Sequence, residues 1–138
     1  VNILTYSALK SGRITVFGGD QVRPNIHIDD ICGVYSFLIK NQEQIDSGTF
    51  NAGFENISIL DIANLVKKQL PNSSIEITPS NDPRSYRQCS DKLIKLGYKP
   101  KKNVENAIAE IISSYNDKTL NTDETCFSIK WIKKLGIK

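Results

Sequence analysis

The sequence predicts an α+β domain in which short strands are mixed with several helices. Apolar residues recur at helical spacing in several segments, most clearly at Leu60, Ala63 and Val66. Runs rich in β-branched residues, at 14–17 and 75–78, are followed by turn-forming residues and predict strands. The elements do not alternate in the regular strand–helix–strand series of an α/β sheet, which leaves α+β as the predicted class.

The first two predicted elements are a helix and a strand. Residues 1–10 carry apolar side chains at helical spacing, and the helix is expected to stop at Gly12. Residues 14–17 follow as a strand. Two consecutive glycines, Gly18 and Gly19, predict a tight turn at its end.

A second strand and a second helix are predicted next. Residues 25–28 are the candidate strand. Asp29 or Asp30 is then expected to cap the helix, because a short carboxylate can accept hydrogen bonds from the free amides of a first turn. The apolar residues of this helix share one face by their spacing: Ile31, Val34, Tyr35, Leu38 and Ile39.

The middle of the chain contains the clearest helix start. Residues 49–53 predict a brief strand that ends in a turn. Ser58 and Asp61 then have the spacing of a capping box, in which a hydroxyl and a carboxylate satisfy free amides, and Pro71 ends the helix that follows. Residues 75–78 alternate in polarity like an edge strand.

The last third is predicted to be mainly helical. Residues 79–83 are irregular, and Ser90 is expected to cap a short helix at 91–96. Gly97 is well placed to end that helix in the left-handed conformation. Asn103 can cap a further helix.

The composition is that of a folded domain of ordinary size. The chain has 138 residues, of which 39% are hydrophobic and 24% charged, values that exclude wholesale disorder and a collagen-like fold. Three cysteines, Cys32, Cys89 and Cys126, are odd in number and widely separated, with no metal-ligand spacing. We therefore predict reduced thiols in a cytosolic protein.

Charge and hydropathy exclude two further classes. The formal net charge of +3 comes from dispersed lysines, with clusters only at 101–102 and 130–138. No stripe of interleaved aromatic and basic residues is present, so no nucleic-acid partner is predicted. No apolar run approaches the roughly 20 residues of a membrane span, and no signal peptide opens the chain. We expect a cytoplasmic protein that does not contact a membrane.

Three turns could present amides or guanidinium groups to a phosphate. The first is residues 18–24, which contain Arg23, and the second is residues 51–53. The third is residues 82–87, with two arginines three positions apart. The alternative interpretations are ordinary turns and solvated surface charges. Arginine is nevertheless the side chain best suited to bidentate recognition of a diphosphate.

The chain contains neither a dinucleotide fingerprint nor a credible catalytic pair. No G-x-G-x-x-G turn joins a strand to a helix. Tyr6 and Lys10 have Tyr-x-x-x-Lys spacing, but no serine or threonine partner and no cofactor fold precede them, so we attribute the spacing to chance. We predict no catalytic residue, no metal ligand and no cofactor bound by this chain.

Five short motifs, taken in order, resemble landmarks of the extended short-chain dehydrogenase/reductases of the nucleotide-sugar epimerase and dehydratase type. They are GGDQVRP, HIDD, FNAG, DPRSYR and LGYKP, at residues 18–24, 27–30, 50–53, 82–87 and 96–100. Each motif is weak alone, but their common order and spacing are specific. The resemblance implies the carboxy-terminal substrate-binding part of such an enzyme, with the Rossmann cofactor half absent.

The resemblance implies a role for several residues. Backbone atoms of the strand before the glycine turn, at Thr15, Val16 and Phe17, would lie near the nucleotide base. Arg23 would grip the diphosphate. The arginine usual in the late loop of the family is replaced here, so Arg84, or with less support Arg87, is expected to substitute for it.

The resemblance also implies an organisation and partners. Residues 1–115 would be the nucleotide-sugar-binding region, and residues 116–138 a tail that ends in a helix. The full enzyme would be a homodimer that uses NAD or NADP on a nucleotide-sugar substrate, and this chain alone would bind poorly and catalyse nothing. Two alternatives stay open: a stand-alone nucleotide-sugar-binding or regulatory domain, and an interaction module driven by the basic tail, residues 130–138.

Overall fold

The computed structural model describes residues 1–136, which form six α-helices, four strands and one 3₁₀ turn. In chain order they are α1 (Asn2–Ser11), β1 (Arg13–Phe17), β2 (Val22–Asn25), α2 (Ile28–Lys40), β3 (Glu55–Ser58), α3 (Ile59–Gln69), β4 (Ser74–Thr78), α4 (Asp91–Lys95), α5 (Val104–Asn116), the 3₁₀ turn (Glu124–Cys126) and α6 (Ser128–Lys134). The predicted α+β class is confirmed.

The strands form two separate pairs. β1 and β4 are parallel, with Arg13 opposite Ser74 and Phe17 opposite Thr78. A parallel pair needs a long crossover, and the chain supplies it with α2, β3 and α3. β2 and β3 are antiparallel, and Pro24 lies opposite Asn56. Proline is tolerated there because β2 has a partner strand on only one side within residues 1–136.

Two apolar clusters hold these elements together. The larger lies between the β1–β4 pair and helices α1, α3 and α5, and its buried members are Ala8, Ile14, Val16, Ile62, Ala63, Val66, Val104 and Ile108. The smaller joins α2 to α4 and the loop after it through Val34, Leu93 and Tyr98. Phe54 stacks on the Tyr98 ring with 5.6 Å between centroids.

Several local predictions are confirmed because their signals act over a few residues. Gly12 ends α1 with φ 68°, a left-handed conformation that glycine adopts without strain. Ser58 caps α3, its hydroxyl accepting the Asp61 amide at 3.0 Å. Asn103 caps α5 in a reciprocal box with Asn106.

The second strand and the cap of α2 were predicted at the wrong residues. β2 is Val22–Asn25 rather than 25–28, since its ladder with β3 ends at Asn25. His27 caps α2 in place of Asp29 or Asp30, with its Nδ1 accepting the Asp29 amide at 3.1 Å. A histidine ring nitrogen can therefore replace the expected carboxylate.

The strand predicted at 49–53 does not form. Within residues 1–136 this segment pairs with no strand. It is hydrogen-bonded instead to the loop between β4 and α4, residues 79–90. The Ser90 hydroxyl accepts the Gly53 amide at 3.0 Å and donates to the Gly53 carbonyl at 3.1 Å. Ser90 consequently begins α4 without the predicted side-chain cap.

Helix α2 carries apolar side chains that the described part of the chain leaves exposed. Val34 is buried, but Tyr35 and Ile39 from the same predicted face are 65% and 67% exposed. Ile28 is 67% exposed, and Cys32 is exposed as well. These four residues have the 4-3-4 spacing of a helix-packing stripe, which we call the α2 stripe.

Helix α6, Ser128–Lys134, lies in the segment predicted as a tail. The Phe127 ring just before α6 lies 6.0 Å from the Tyr6 ring of α1. Of the predicted basic tail, residues 137 and 138 lie outside the described residues. Among residues 1–136, no helix has both the length and the apolar character needed to cross a bilayer.

Candidate functional site

The topology brings two loops to one end of the β1–β4 pair. Because the strands are parallel, the Gly18–Gly19 turn after β1 and the loop after β4 leave at the same edge. The Gly18 amide donates to the Thr78 carbonyl at 2.9 Å and joins the two exits. Gly18 and Gly19 have φ of 76° and 123°, which explains why this turn needs glycine.

The late loop, residues 79–90 between β4 and α4, is bonded along β2 and β3. The Val22 amide donates to the Ser85 hydroxyl at 3.0 Å, and the Tyr86 amide donates to the Val22 carbonyl at 3.3 Å. Asn56 exchanges hydrogen bonds with the backbone of Gln88 at 2.8 and 3.0 Å. These contacts place the loop directly beside Arg23.

Arg23 is held by the late loop on several sides. Its Nη1 donates to the Val22 carbonyl at 3.0 Å and to the Arg84 carbonyl. Its Nη2 lies 3.4 Å from Oδ2 of Asp82. The Tyr86 ring covers the guanidinium face with 5.0 Å between Cζ and the ring centroid. The side chain is 22% exposed, so the arginine is oriented but still reachable from solvent.

Asp82 links the two arginines. Its Oδ1 accepts Nε of Arg84 at 2.7 Å and its Oδ2 accepts Nη2 at 2.8 Å, a bidentate pair. The hydrogen bonds from Arg84, with smaller contributions from the charges of Arg84 and Arg23, hold the pKa of Asp82 far below its usual range. Asp82 in turn raises the pKa of Arg84. Two cations and one anion leave a net positive charge, so the cluster suits an anion.

Arg87 is not part of this cluster. Among the described residues, no hydrogen bond or ion pair joins it to Arg23 or Asp82. It lines a separate cleft of about 520 Å³ beside Phe54 and Asn56. Of the two candidate arginines in the late loop, the structure brings only Arg84 to Arg23.

The predicted base-contacting strand, β1, is firmly seated. Val16 is fully buried in the larger cluster, whereas Phe17 is 63% exposed and Thr15 is half-buried. β4 pairs with one edge of β1, and within residues 1–136 no strand pairs with the other. Backbone atoms on that open edge, and not the Val16 side chain, are the groups that a ligand could reach.

A second polar cluster lies at the start of α2. Nε2 of His27 lies 3.0 Å from Glu110, and Nζ of Lys102 lies 2.5 Å from the same carboxylate and 4.0 Å from Asp29. The hydrogen bond and charge of Lys102 lower the pKa of Glu110, and Glu110 raises that of Lys102. His27, Asp29 and Glu110 lie close enough together to hold a metal ion. The Lys102 ammonium already provides a positive charge beside the two carboxylates. We interpret the cluster as structural.

The glycine turn and the start of α3 do not match the dinucleotide-binding fingerprint. The glycine turn leads from strand to strand, while the family fingerprint leads from strand to helix. A pyrophosphate would also need free amides at a helix start. At α3, which packs on the turn, the Ile59 and Leu60 amides already donate to the carbonyls of Gln21 and Gly19 at 3.1 and 3.0 Å.

Tyr6 and Lys10 form a packing pair on α1. The Tyr6 ring contacts Tyr115 edge-on at 6.3 Å between centroids, and Nζ of Lys10 lies 5.7 Å from the Tyr6 centroid. These contacts give both side chains a packing role on α1.

Sequence reasoning missed the partners of Arg23. Asp82 and Tyr86 were recognised only as parts of an arginine-containing loop. One local signal could have identified Asp82, since an aspartate two residues before an arginine can accept that arginine's amide, and here Oδ1 does so at 3.1 Å. The contacts with Arg23 cross about sixty positions of chain and leave no sequence pattern.

Comparison with known proteins relates this chain to a family of enzymes. No protein-family model matches the chain. ADP-L-glycero-D-manno-heptose-6-epimerase of Brachyspira hyodysenteriae is 33% identical over 114 residues, covering 75% of this chain. The chain belongs to the extended short-chain dehydrogenase/reductases of the epimerase/dehydratase family. It spans 35% of the length of that relative and corresponds to the carboxy-terminal part of the family's enzymes.

Three solved structures illustrate the shared fold. ADP-L-glycero-D-manno-heptose-6-epimerase of Helicobacter pylori matches with a TM-score of 0.68 and 20% identity, over 81% of this chain and 36% of its own. dTDP-glucose 4,6-dehydratase of Bacillus anthracis, in complex with NAD, matches with 0.68 and 18%, over 83% and 38%. L-threonine dehydrogenase of Phytophthora infestans matches with 0.72 and 16%, over 84% and 40%. The fold alone therefore does not determine the substrate.

Proposed function

We propose that this chain forms the nucleotide-sugar-binding part of an NAD(P)-dependent epimerase or dehydratase, with Arg23 and Arg84 binding the diphosphate. The observation that carries the proposal is the pair of guanidinium groups at the shared exit of β1 and β4. Charge-assisted bonds from arginine to phosphate are short and bidentate, and they fix orientation as well as affinity. The role that we assign to this chain is anchoring of the substrate.

The substrate class has support from two directions. The curated relative at 33% identity is an epimerase of an ADP-linked heptose, so its name specifies a nucleotide sugar. A threonine dehydrogenase shares the fold, but threonine offers a guanidinium group only one carboxylate and no phosphate. The cluster of Arg23, Asp82 and Arg84 therefore favours a substrate with a diphosphate.

Replacing Arg23 by alanine should weaken nucleoside diphosphate binding by about 1.5–3 kcal/mol, roughly ten- to 150-fold in Kd. Calorimetric titration of this chain with ADP, GDP, UDP and dTDP would measure the loss. The Kd of Arg23→Lys should fall between those of the unmodified chain and Arg23→Ala. Lysine keeps the charge but lacks the planar guanidinium that binds two oxygens at once.

Arg13→Ala is the matched control for that titration. Arg13 is an exposed arginine at the opposite end of β1, so its removal changes the net charge equally without touching the cluster. Equal losses of affinity in the two alanine variants would mean that Arg23 contributes only its charge and makes no specific contact with the diphosphate. Unchanged affinity in Arg23→Ala would reject its role in binding.

The α2 stripe supports placing this chain within a larger enzyme. Ile28, Cys32, Tyr35 and Ile39 form an exposed apolar row, and contiguous apolar surface of this kind is typical of an interface. We assign its cover to the cofactor-binding half of the enzyme, because the chain spans only 35% of its curated relative.

Cys32 gives a direct test of that cover. In this chain Cys32 should react with iodoacetamide as an exposed thiol, and joining the chain to the amino-terminal part of the Brachyspira epimerase should slow the reaction several-fold. Peptide mass spectrometry reads Cys126 in the same sample as the control, since it is exposed on the tail. An unprotected Cys32 in a folded chimera would show that the stripe faces elsewhere.

A further inference from the structure

We propose that Asp82 is an internal competitor of the diphosphate, occupying the guanidinium groups of Arg23 and Arg84 until a ligand replaces it. The inference rests on the proposed function of these arginines and adds a residue that tunes their affinity. A carboxylate and a phosphate bind a guanidinium fork in the same way, through two oxygens on two nitrogens. Asp82 therefore occupies donor positions that a phosphate would use.

The geometry shows which bond a ligand would replace first. Asp82 lies 2.7 and 2.8 Å from Arg84 but 3.4 Å from Arg23. The other terminal nitrogen of Arg23, Nη1, is held by the carbonyls of Val22 and Arg84. A phosphate can thus take the long bond to Nη2 of Arg23 without moving backbone, while Asp82 stays with Arg84.

Exposure permits the exchange. Asp82 is 29% exposed and Arg84 is 76% exposed, so a ligand can reach both groups from solvent. The bond of Asp82 to Arg23 is single and long, at 3.4 Å, so giving it up costs little. The competitor should consequently lower the affinity by a modest factor and leave the site functional.

Removing the competing charge should tighten binding. We expect Asp82→Asn to lower the Kd for ADP or UDP by about three- to tenfold, since an amide competes for guanidinium donors more weakly than a carboxylate. Asp46→Asn is the control. Asp46 is exposed in the polar segment after α2, and its substitution makes the same change in net charge far along the chain from the cluster.

A measurement without ligand tests the same contact independently. In Asp82→Asn the Tyr86 amide, which donates to the Val22 carbonyl, should exchange its hydrogen faster than in the unmodified chain, because Asp82 no longer ties the loop to Arg23. Asp46→Asn should leave that rate unchanged. Unchanged exchange in Asp82→Asn would overturn the tethering role whatever the ligand data show.

The outcomes separate this inference from the proposed function. Tighter binding by Asp82→Asn alone supports both. Equal or weaker binding by Asp82→Asn, together with loss in Arg23→Ala, overturns the competitor and leaves the diphosphate site standing. Absence of binding at millimolar ADP, GDP, UDP and dTDP, by the unmodified sequence and by every variant when each is joined to the amino-terminal part of the Brachyspira epimerase, overturns both.

Discussion

Replacing Asp30 by alanine should lower the free energy of unfolding by about 3–5 kcal/mol, because it removes the acceptor of three hydrogen bonds from a buried place. Asp30 is 2% exposed. Its carboxylate accepts the amides of Lys101 and Lys102 at 2.9 Å each and the Tyr98 hydroxyl at 3.0 Å. Alanine would leave the Lys101 and Lys102 amides unpaired, although the Tyr98 hydroxyl could still donate to the backbone carbonyl of residue 30, which lies 2.8 Å away. The substitution would therefore loosen α2 from the segment that leads into α5.

The cost should depend on pH with a defined sign. Burial raises the pKa of Asp30, but hydrogen bonds from Lys101, Lys102 and Tyr98, with the charge of His27, lower it further than burial raises it. A folded-state pKa below the unfolded value of about 4 adds stability above that pH, and the stability is lost as pH falls through the folded value. The difference between the two proteins should be constant near neutral pH and shrink in acid.

Urea unfolding at several pH values measures both effects. Asp29→Ala is the matched control, because Asp29 is the preceding carboxylate and its side chain is 64% exposed. Its substitution should cost less than about 1 kcal/mol. Similar losses at the two positions would contradict the role of Asp30. The same network raises the pKa of Tyr98 to about 12, through burial first and then the bond to Asp30.

Elements whose signals are local could be predicted from the sequence. β1 is a β-branched run closed by glycines, α3 begins at a serine cap, and α5 begins at an asparagine cap. In each of these cases the residues that determine the element lie within four positions of one another, so spacing alone reveals it.

Features that depend on distant partners could not be predicted. The segment 49–53 has strand-like residues, but a strand requires a partner, and side chains of the late loop bind it instead. Asp29 and Asp30 are both acidic residues of a first turn, yet one is exposed and the other is bonded to Lys101, seventy-one positions away. Only the folded chain distinguishes these neighbours.

The candidate site also combines residues that the sequence indicated with contacts that only the structure reveals. The resemblance directed attention to Arg23 and to a substitute arginine in the late loop, and the structure places Arg84 rather than Arg87 beside Arg23. Contact of these residues with a substrate stays a prediction. The contact between Asp82 and Arg23 could not be predicted, because it depends on the segments after β1 and β4 meeting at one end of the strand pair.

Replacing Leu93 by alanine should destabilise the fold by about 2–5 kcal/mol, the range for deleting a fully buried aliphatic side chain. Leu93 has no exposed surface and joins Val34 and Tyr98 in the smaller cluster. It lies in α4, whose five residues are far fewer than an isolated helix needs to persist in water. Burial of Leu93 therefore anchors α4 and, with it, one end of the late loop, whose other contacts include its hydrogen bonds to Val22 and Asn56.

The neighbouring residue on α4 gives a sharp comparison. Ile94 has nearly the same size, but it is 42% exposed and lines the cleft beside Arg87. Ile94→Ala should cost about 1 kcal/mol or less, because a half-exposed side chain leaves little cavity behind. Denaturant unfolding of the two variants should differ by at least a factor of two in lost stability. Equal losses would mean that α4 is held by its whole surface, in which case the anchoring of the late loop would not depend on Leu93.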